Sequence, residues 1–196
     1  MNYLSFDLEA TGLRENDLVI EFACVPFSTD NEEIFHDQSF HCFVQCPSFD
    51  SLKSNLDPWV IEHNEELIKK AHSEGLPIGE FRGELEKYLS SSEVKKIFYD
   101  KKITLFGKSM AAIDLPFLNR DLGWEWMRKY FEHRQLDLSS VAYSMIDLGY
   151  LPSKCQSGSE LMKELGFGDV AHTALEDAVN TAKMYLEIKR RYSHSS

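Results

Sequence analysis

The sequence predicts an α/β fold: a mixed sheet, three antiparallel strands followed by parallel ones, flanked by helices. Three observations predict it. Apolar and aromatic runs with strand character crowd the chain before Asp57. Helical spacing dominates after that point, interrupted by two short strand-like runs. The chain then closes on one long amphipathic helix. Strands first, then helices interleaved with further strands, is the order of a sheet covered by helices.

Asn2–Leu8, Leu18–Phe27 and Ile34–Cys46 are the opening runs, and Asn31-Glu32-Glu33 supplies a turn between the last two. Together they predict a three-stranded antiparallel meander. Asp57-Pro58 starts a helix, with Asp as N-cap and Pro in the first position, which runs to about His72. Pro77 opens a second helix, where Phe81, Leu85, Tyr88 and Leu89 fall at helical spacing. Ile103–Phe106 predicts a short strand ending at Gly107, and Leu115–Leu122 a helix ending at Gly123. Gln135–Leu138 is the last strand. Ser139–Leu148 and Ser159–Leu165 are helices stopped by Gly149 and Gly166. The final helix spans Ala174–Tyr192, with an apolar stripe through Leu175, Ala178, Val179, Ala182 and Leu186. Lys189, Arg190 and Arg191 complement its C-terminal dipole.

At roughly 150 residues per domain, the 196 residues predict one domain over residues 1–192, with Ser193–Ser196 as a frayed tail. Hydrophobic residues at 43% and charged residues at 27% exclude a disordered chain. Acids outnumber Lys and Arg by 32 to 21, a net charge of −11 that argues against a protein coating long DNA or RNA. An acidic protein still binds nucleotides where metal ions stand between carboxylate and phosphate. Cys24, Cys42, Cys46 and Cys155 form no C-x-x-C and suggest no disulfide framework. Met1–Gly12 lacks a basic start and carries Asp7 and Glu9, so it does not read as a signal peptide. No apolar run reaches the ~18–20 residues of a membrane span. The expectation is a reduced, soluble, cytoplasmic protein without membrane contact.

The strongest signal is Phe6-Asp7-Leu8-Glu9-Ala10-Thr11-Gly12-Leu13. Asp7 and Glu9 stand two residues apart on a strand, so both carboxylates point to one face. Their repulsion is relieved either by solvent at a strand end or by a divalent cation, and all-oxygen ligands suit Mg²⁺ or Mn²⁺ rather than Zn²⁺. Asp114, in Ile113-Asp114-Leu115-Pro116, is either another such acid or a helix N-cap. In His172-Thr173-Ala174-Leu175-Glu176-Asp177-Ala178, Asp177 sits early in the last helix with His172 before it. Glu176 is its rival. Asp177 is favoured because Ala174 and Ala178 place it at the edge of the buried stripe.

Jointly, D-x-E in the first strand, one Asp mid-chain and H-x₄-D near the C-terminus resemble the DEDDh 3′–5′ exonucleases, whose fold is ribonuclease H-like. The match runs from residue 7 to residue 177 and, by its His, falls in the DEDDh branch. Within that family the chain is most similar to the oligoribonuclease and ribonuclease T group. His133-Arg134-Gln135-Leu136-Asp137-Leu138-Ser139-Ser140 resembles its H-Y-R-x-x-D-V-S-T, and Asp57-Pro58-Trp59 with His63 echoes a Trp of that group. The Tyr of the first motif is missing. Gly107-Lys108-Ser109 stands where related proteins often carry Asn nearby.

The resemblance implies hydrolysis of 3′-terminal phosphodiester bonds in short single-stranded RNA or DNA, with release of nucleoside 5′-monophosphates. It implies two divalent ions, one held by Asp7, Glu9 and Asp177 and one by Asp7 with Asp114. His172 is the implied general base, its unperturbed pKa lying closest to neutral. Ala10 and Thr11 would bond the terminal sugar, and Leu13 would wedge against the last base. Trp59 would stack on a base. Arg134 with Ser139 would hold a phosphate, with Ser109 as a further substrate contact. The group's common dimers imply a homodimer.

Two other readings are open to the sequence: a proofreading subunit docked on a polymerase, and an inactive binding module. The second fits poorly, since all four acids and the His are retained. The remaining clusters read as structural. His36, His41, Cys42 and Cys46 lack a second Cys pair and argue little for zinc. Lys95-Lys96 and Lys101-Lys102 form a small basic patch that reads as a solvated loop in preference to a contact for a nucleic-acid strand. Trp124, Trp126, Tyr130 and Phe131 read as core or dimer interface.

Overall fold

A computed structural model of the chain describes residues 1–168 and 173–192. The expected frayed tail, residues 193–196, and His172 lie outside the described residues.

Strand β1 spans Asn2–Ala10 and β2 spans Val19–Ser28, paired antiparallel with Asn2 opposite Ser28 and Glu9 opposite Glu21. The third run of the meander is broken. It forms β3 (Glu33–Ile34) and β4 (Phe40–Phe43), both antiparallel to β2, with a turn of 3₁₀ helix at His36–Gln38 between them. The cause is tertiary: the Tyr88 hydroxyl donates to the carbonyl of Gln38 at 2.7 Å and holds the chain away from the ladder.

β5 (Leu105–Gly107) lies parallel to β1, and β6 (Leu136–Asp137) parallel to β5. The sheet order is therefore β3-β2-β1-β5-β6, with β4 also on β2. This is the mixed sheet the sequence predicts.

Helices cover both faces. After the short α1 (Phe49–Leu52), the segment expected as one helix from Asp57 is two: α2 (Pro58–His63) and α3 (Glu65–Glu74). Asp57 caps α2 as expected, accepting from the Trp59 N–H at 2.9 Å. Asn64, at φ −111° and ψ 7°, leaves helical geometry and ends α2 where α3 begins. Then come α4 (Ile78–Leu89) and α5 (Ser92–Ile97). Lys95 and Lys96 occupy the last turn of α5, which corrects the expected loop.

α6 (Asp114–Leu122) and α7 (Trp124–Tyr130) follow β5. The aromatic cluster divides there: Trp126 and Phe131 join the core, while Trp124 is exposed. α8 (Leu138–Asp147), α9 (Gly158–Leu165) and α10 (Ala174–Tyr192) complete the chain.

Alternation along β1 sends Leu4, Phe6 and Leu8 into a core shared with Phe22, Phe81 and Leu118. Tyr3 turns the other way, into a core with Phe27, Phe106 and α8–α10. Every residue of β2 is buried, so apart from Glu21 and Ser28 its run reads as continuously apolar rather than alternating. Among the described residues, no helix is long and apolar enough to cross a membrane.

Candidate active site

α10 packs across the face of β1 that carries the odd-numbered side chains, and the Ser5 hydroxyl donates to the carbonyl of Ala178 at 2.6 Å. Two and four residues on, Asp7 and Glu9 share that face and meet Asp177 in the first turn of α10. Carboxylate oxygens of Asp7, Glu9 and Asp177 all lie within 4.8 Å of one another. Glu176 points elsewhere. Its carboxylate accepts from the Thr173 hydroxyl at 3.0 Å, and its N–H donates to that hydroxyl at 3.3 Å. That exchange around the start of α10 occupies Glu176 with capping.

Asp114 approaches from the neighbouring strand. β1 and β5 are parallel, so their carboxyl ends lie together, the end of an α/β sheet where ligands gather. The chain leaving β5 turns directly into α6, whose first residue is Asp114, 5% exposed. Asp114 does not cap the helix: Ile113 is the N-cap position, and no side-chain capping bond forms there.

The electrostatics are those of crowded acids out of water. Burial, then the charges of Asp114, Asp177 and Glu9, raises the Asp7 pKa well above the usual carboxylate range. Burial, then Asp177, Glu21 and Asp114, pushes Glu9 up to about 7. Burial pushes Asp114 up to about 7. Lys108 opposes all three shifts. Carboxylate oxygens converging at this distance, with no nitrogen or sulfur donor in the group among the described residues, fit a hard divalent cation such as Mg²⁺ or Mn²⁺.

The other predicted positions lie at the end of β1 and in the loop after it, in α2, after β5 and around β6. Ala10 ends β1 at an irregularity in the ladder. Thr11 is 2% exposed and closes the following loop: its N–H donates to the Leu18 carbonyl, and its hydroxyl accepts from the Leu18 N–H, both at 2.9 Å. Leu13 is 78% exposed and lines a cavity of about 230 Å³ with Arg14, Ile113, Pro116 and Phe117, beside Asp114.

Trp59 is 57% exposed and stacks on His63, with centroids 4.4 Å apart. The Arg14 guanidinium donates to the Asn55 carbonyl at 2.5 Å, tying the Leu13 loop to the segment before Trp59. Ser109 and Ser139 share a hydrogen bond of 2.8 Å. Asp137 fixes that pair by accepting from the Met110 N–H at 2.9 Å and the Ser139 N–H at 2.8 Å. Arg134 is exposed on the approach to β6.

Two neighbours escaped the sequence reading. Glu21, opposite Glu9 in the ladder, is 2% exposed and meets His41 Nε2 at 2.5 Å. A lone acid within Leu18–Val25, an otherwise apolar strand, was the available signal. Lys108 was passed over as a departure from the family pattern.

No protein-family model matches the sequence, and no curated protein matches it. Solved structures match in three dimensions. The nuclease domain of 3′hExo, a DEDDh family member bound to rAMP, superposes with a TM-score of 0.68 at 17% identity, over 97% of this chain and 92% of that one. Cell-death related nuclease 4 (CRN-4) gives 0.69 at 14% identity, over 97% of this chain and 64% of that one. The zinc-bound complex of E. coli ExoI with single-stranded DNA gives 0.74 at 17% identity, over 98% of this chain and 41% of that one. The chain thus spans under two thirds of the latter two proteins. It has the fold of the DEDDh exonucleases, the ribonuclease H-like mixed sheet.

Proposed function

We propose that the chain is a DEDDh 3′–5′ exonuclease, one domain over residues 1–192, that removes nucleotides from short single-stranded RNA or DNA as 5′-monophosphates. The observation that carries this reading is the convergence of Asp7, Glu9 and Asp177 within 4.8 Å on the fold shared with those enzymes. Asp7, Glu9 and Asp177 would hold one divalent ion, and Asp7 with Asp114 would hold a second. Such ions, when bound, make water nucleophilic near neutral pH and stabilise charge on the leaving oxygen. His172 accepts the proton of the attacking water. Leu13 and the cavity beside it take the terminal base. Trp59, backed by His63, stacks on another base. Ser109, Ser139 and Arg134 hold a phosphate at the end of β5 and β6.

The preference for short strands follows from charge. A protein at −11 stays negative with two divalent ions bound, so it repels a long polyanion and must bind through contacts at the last nucleotides. The reading includes a cytoplasmic homodimer, the dimer being open to test by sedimentation.

The deciding experiment is a digestion panel of labelled 2- to 30-mers, RNA and DNA, single- and double-stranded, with Mg²⁺, Mn²⁺, Ca²⁺ or EDTA. Turnover with Mg²⁺ or Mn²⁺ on short single strands supports the reading. Activity undiminished in EDTA overturns it, and faster cleavage of long duplexes overturns the substrate preference.

A further inference from the structure

The parallel register of β1 and β5 sets Phe106 beside Ser5. Two residues past that pair, and one beyond the end of β5, Lys108 reaches the level of Asp7. The chain is tightly seated here, since a Cβ on Gly107 would lie 3.4 Å from the Phe6 carbonyl oxygen and 3.2 Å from Met110 Cβ. Ser109 follows in the left-handed region at φ 58°, turning the backbone away immediately after the lysine.

The Lys108 side chain then runs over Gly158, the first residue of α9. A Cβ on Gly158 would stand 3.2 Å from both Cδ and Nζ of Lys108. Gly158 is not among the glycines with positive φ, so its backbone does not demand glycine. What it gives is room for the lysine stem, at the usual helix cost of a residue without Cβ. The ammonium so placed stands at the carboxyl end of β5, beside the end of β1 that carries Asp7 and Glu9.

A fixed cation at the rim of a cluster of acids has two consequences of opposite sign. It repels incoming divalent cations, and it attracts the phosphodiester of a strand entering the same site. Resting on the exonuclease reading above, we propose that Lys108, laid across Gly158 at the end of β5, is a phosphate-contacting residue that weakens divalent-ion binding to the empty site and strengthens binding of the nucleic-acid strand. Metal and strand then load together rather than metal first.

The test compares full-length wild type, Lys108→Met, Lys108→Arg and Gly158→Ala. Calorimetric titration with Mn²⁺ in the absence of nucleic acid reads the first consequence. Anisotropy of a labelled single-stranded 5-mer in saturating Ca²⁺ reads the second. Lys108→Met should tighten Mn²⁺ about 10-fold and weaken the 5-mer about 10-fold, the order expected for one charge near a divalent ion in a wet site. Lys108→Arg should stay near wild type in both. Gly158→Ala should move both in the direction of Lys108→Met without lowering the melting temperature, because the atoms nearest the intruding methyl belong to the flexible end of a lysine.

Unchanged or weaker Mn²⁺ binding in Lys108→Met overturns the proposal, as does unchanged 5-mer binding. Failure of the underlying reading looks different: wild type itself would neither bind nor shorten the strand, while the substrate-free Mn²⁺ comparison would still report on the lysine.

Discussion

The buried carboxylate of Glu21 accepts a hydrogen bond from the backbone N–H of Ala174, the first residue of α10, at 3.3 Å. This ties the strand opposite Glu9 to the helix that carries Asp177, with His41 on the other carboxylate oxygen. Glu21→Ala should therefore cost stability, about 2–4 kcal/mol for a buried charged partner removed from two polar groups. It should also loosen the placement of Asp177. Urea unfolding checks the first effect, and Mn²⁺ titration, with a roughly 10-fold weakening expected from lost preorganisation, checks the second.

The crowded carboxylates make the metal-free protein sensitive to pH in a stated window. Glu9 and Asp114 hold their protons to about pH 7 when folded, against ordinary values of 4.5 and 3.8. Between about pH 4.5 and pH 7 the folded state thus binds more protons than the unfolded one, and stability falls as pH rises. Glu86 works the other way but outside this window. Lowered to about 2 by hydrogen bonds from Tyr130, Lys129 and Trp126, it contributes stability that is lost only as pH falls below its ordinary value of 4.5. In EDTA the melting temperature should drop about 3–8 °C from pH 5 to pH 7.5. Mn²⁺ should restore it at pH 7.5 and do less at pH 5. A flat EDTA profile would refute the crowding.

Neutralising one acid separates stability from function. Asp7→Asn, Asp114→Asn and Asp177→Asn should each lower turnover by at least about 10³-fold. Asp7→Asn should also raise the metal-free melting temperature at pH 7.5, because it replaces an acid whose ionisation is opposed by burial and by its neighbours with a neutral side chain. Glu176→Gln, which touches the helix cap alone, should keep its turnover. Parallel melting curves and single-turnover rates check all four.

His172→Ala should reduce kcat by about 10²–10⁴. It should also remove the acidic limb of the rate profile, expected between about pH 6 and 8 for a histidine under opposing influences. Binding of Mn²⁺ should change little. A variant that keeps both rate and limb would assign the proton transfer to another group.

The common face of Asp7 and Glu9 and the edge position of Asp177 were legible because each rests on local spacing, whereas the meeting of these acids with one another and with Asp114 was implied only by the family resemblance. Two residues on a strand fix a common face for Asp7 and Glu9, and the stripe of Ala174 and Ala178 fixes the edge on which Asp177 stands. The order of strands was legible for the same reason. Most of what was not legible depends on contacts distant in sequence. Tyr88 breaks the third strand at Gln38, fifty residues away. Asn64 divides a helix whose apolar spacing runs on, by a local break in the backbone at φ −111° rather than a distant contact. Glu21 looks like an interruption in an apolar strand until Ala174 and His41 close around it. Lys108 acquires a role only when Gly158 arrives beneath it. The short helices α5 and α7 carry too few turns for a periodic signal to stand out.

The most direct measurement is the product ladder from a 5′-labelled single-stranded 7-mer. In Mg²⁺, wild type should shorten it one nucleotide at a time from the 3′ end, releasing 5′-mononucleotides, while EDTA and Asp7→Asn both leave it intact. Internal cuts, shortening from the 5′ end, or a ladder that survives EDTA or Asp7→Asn would contradict the account.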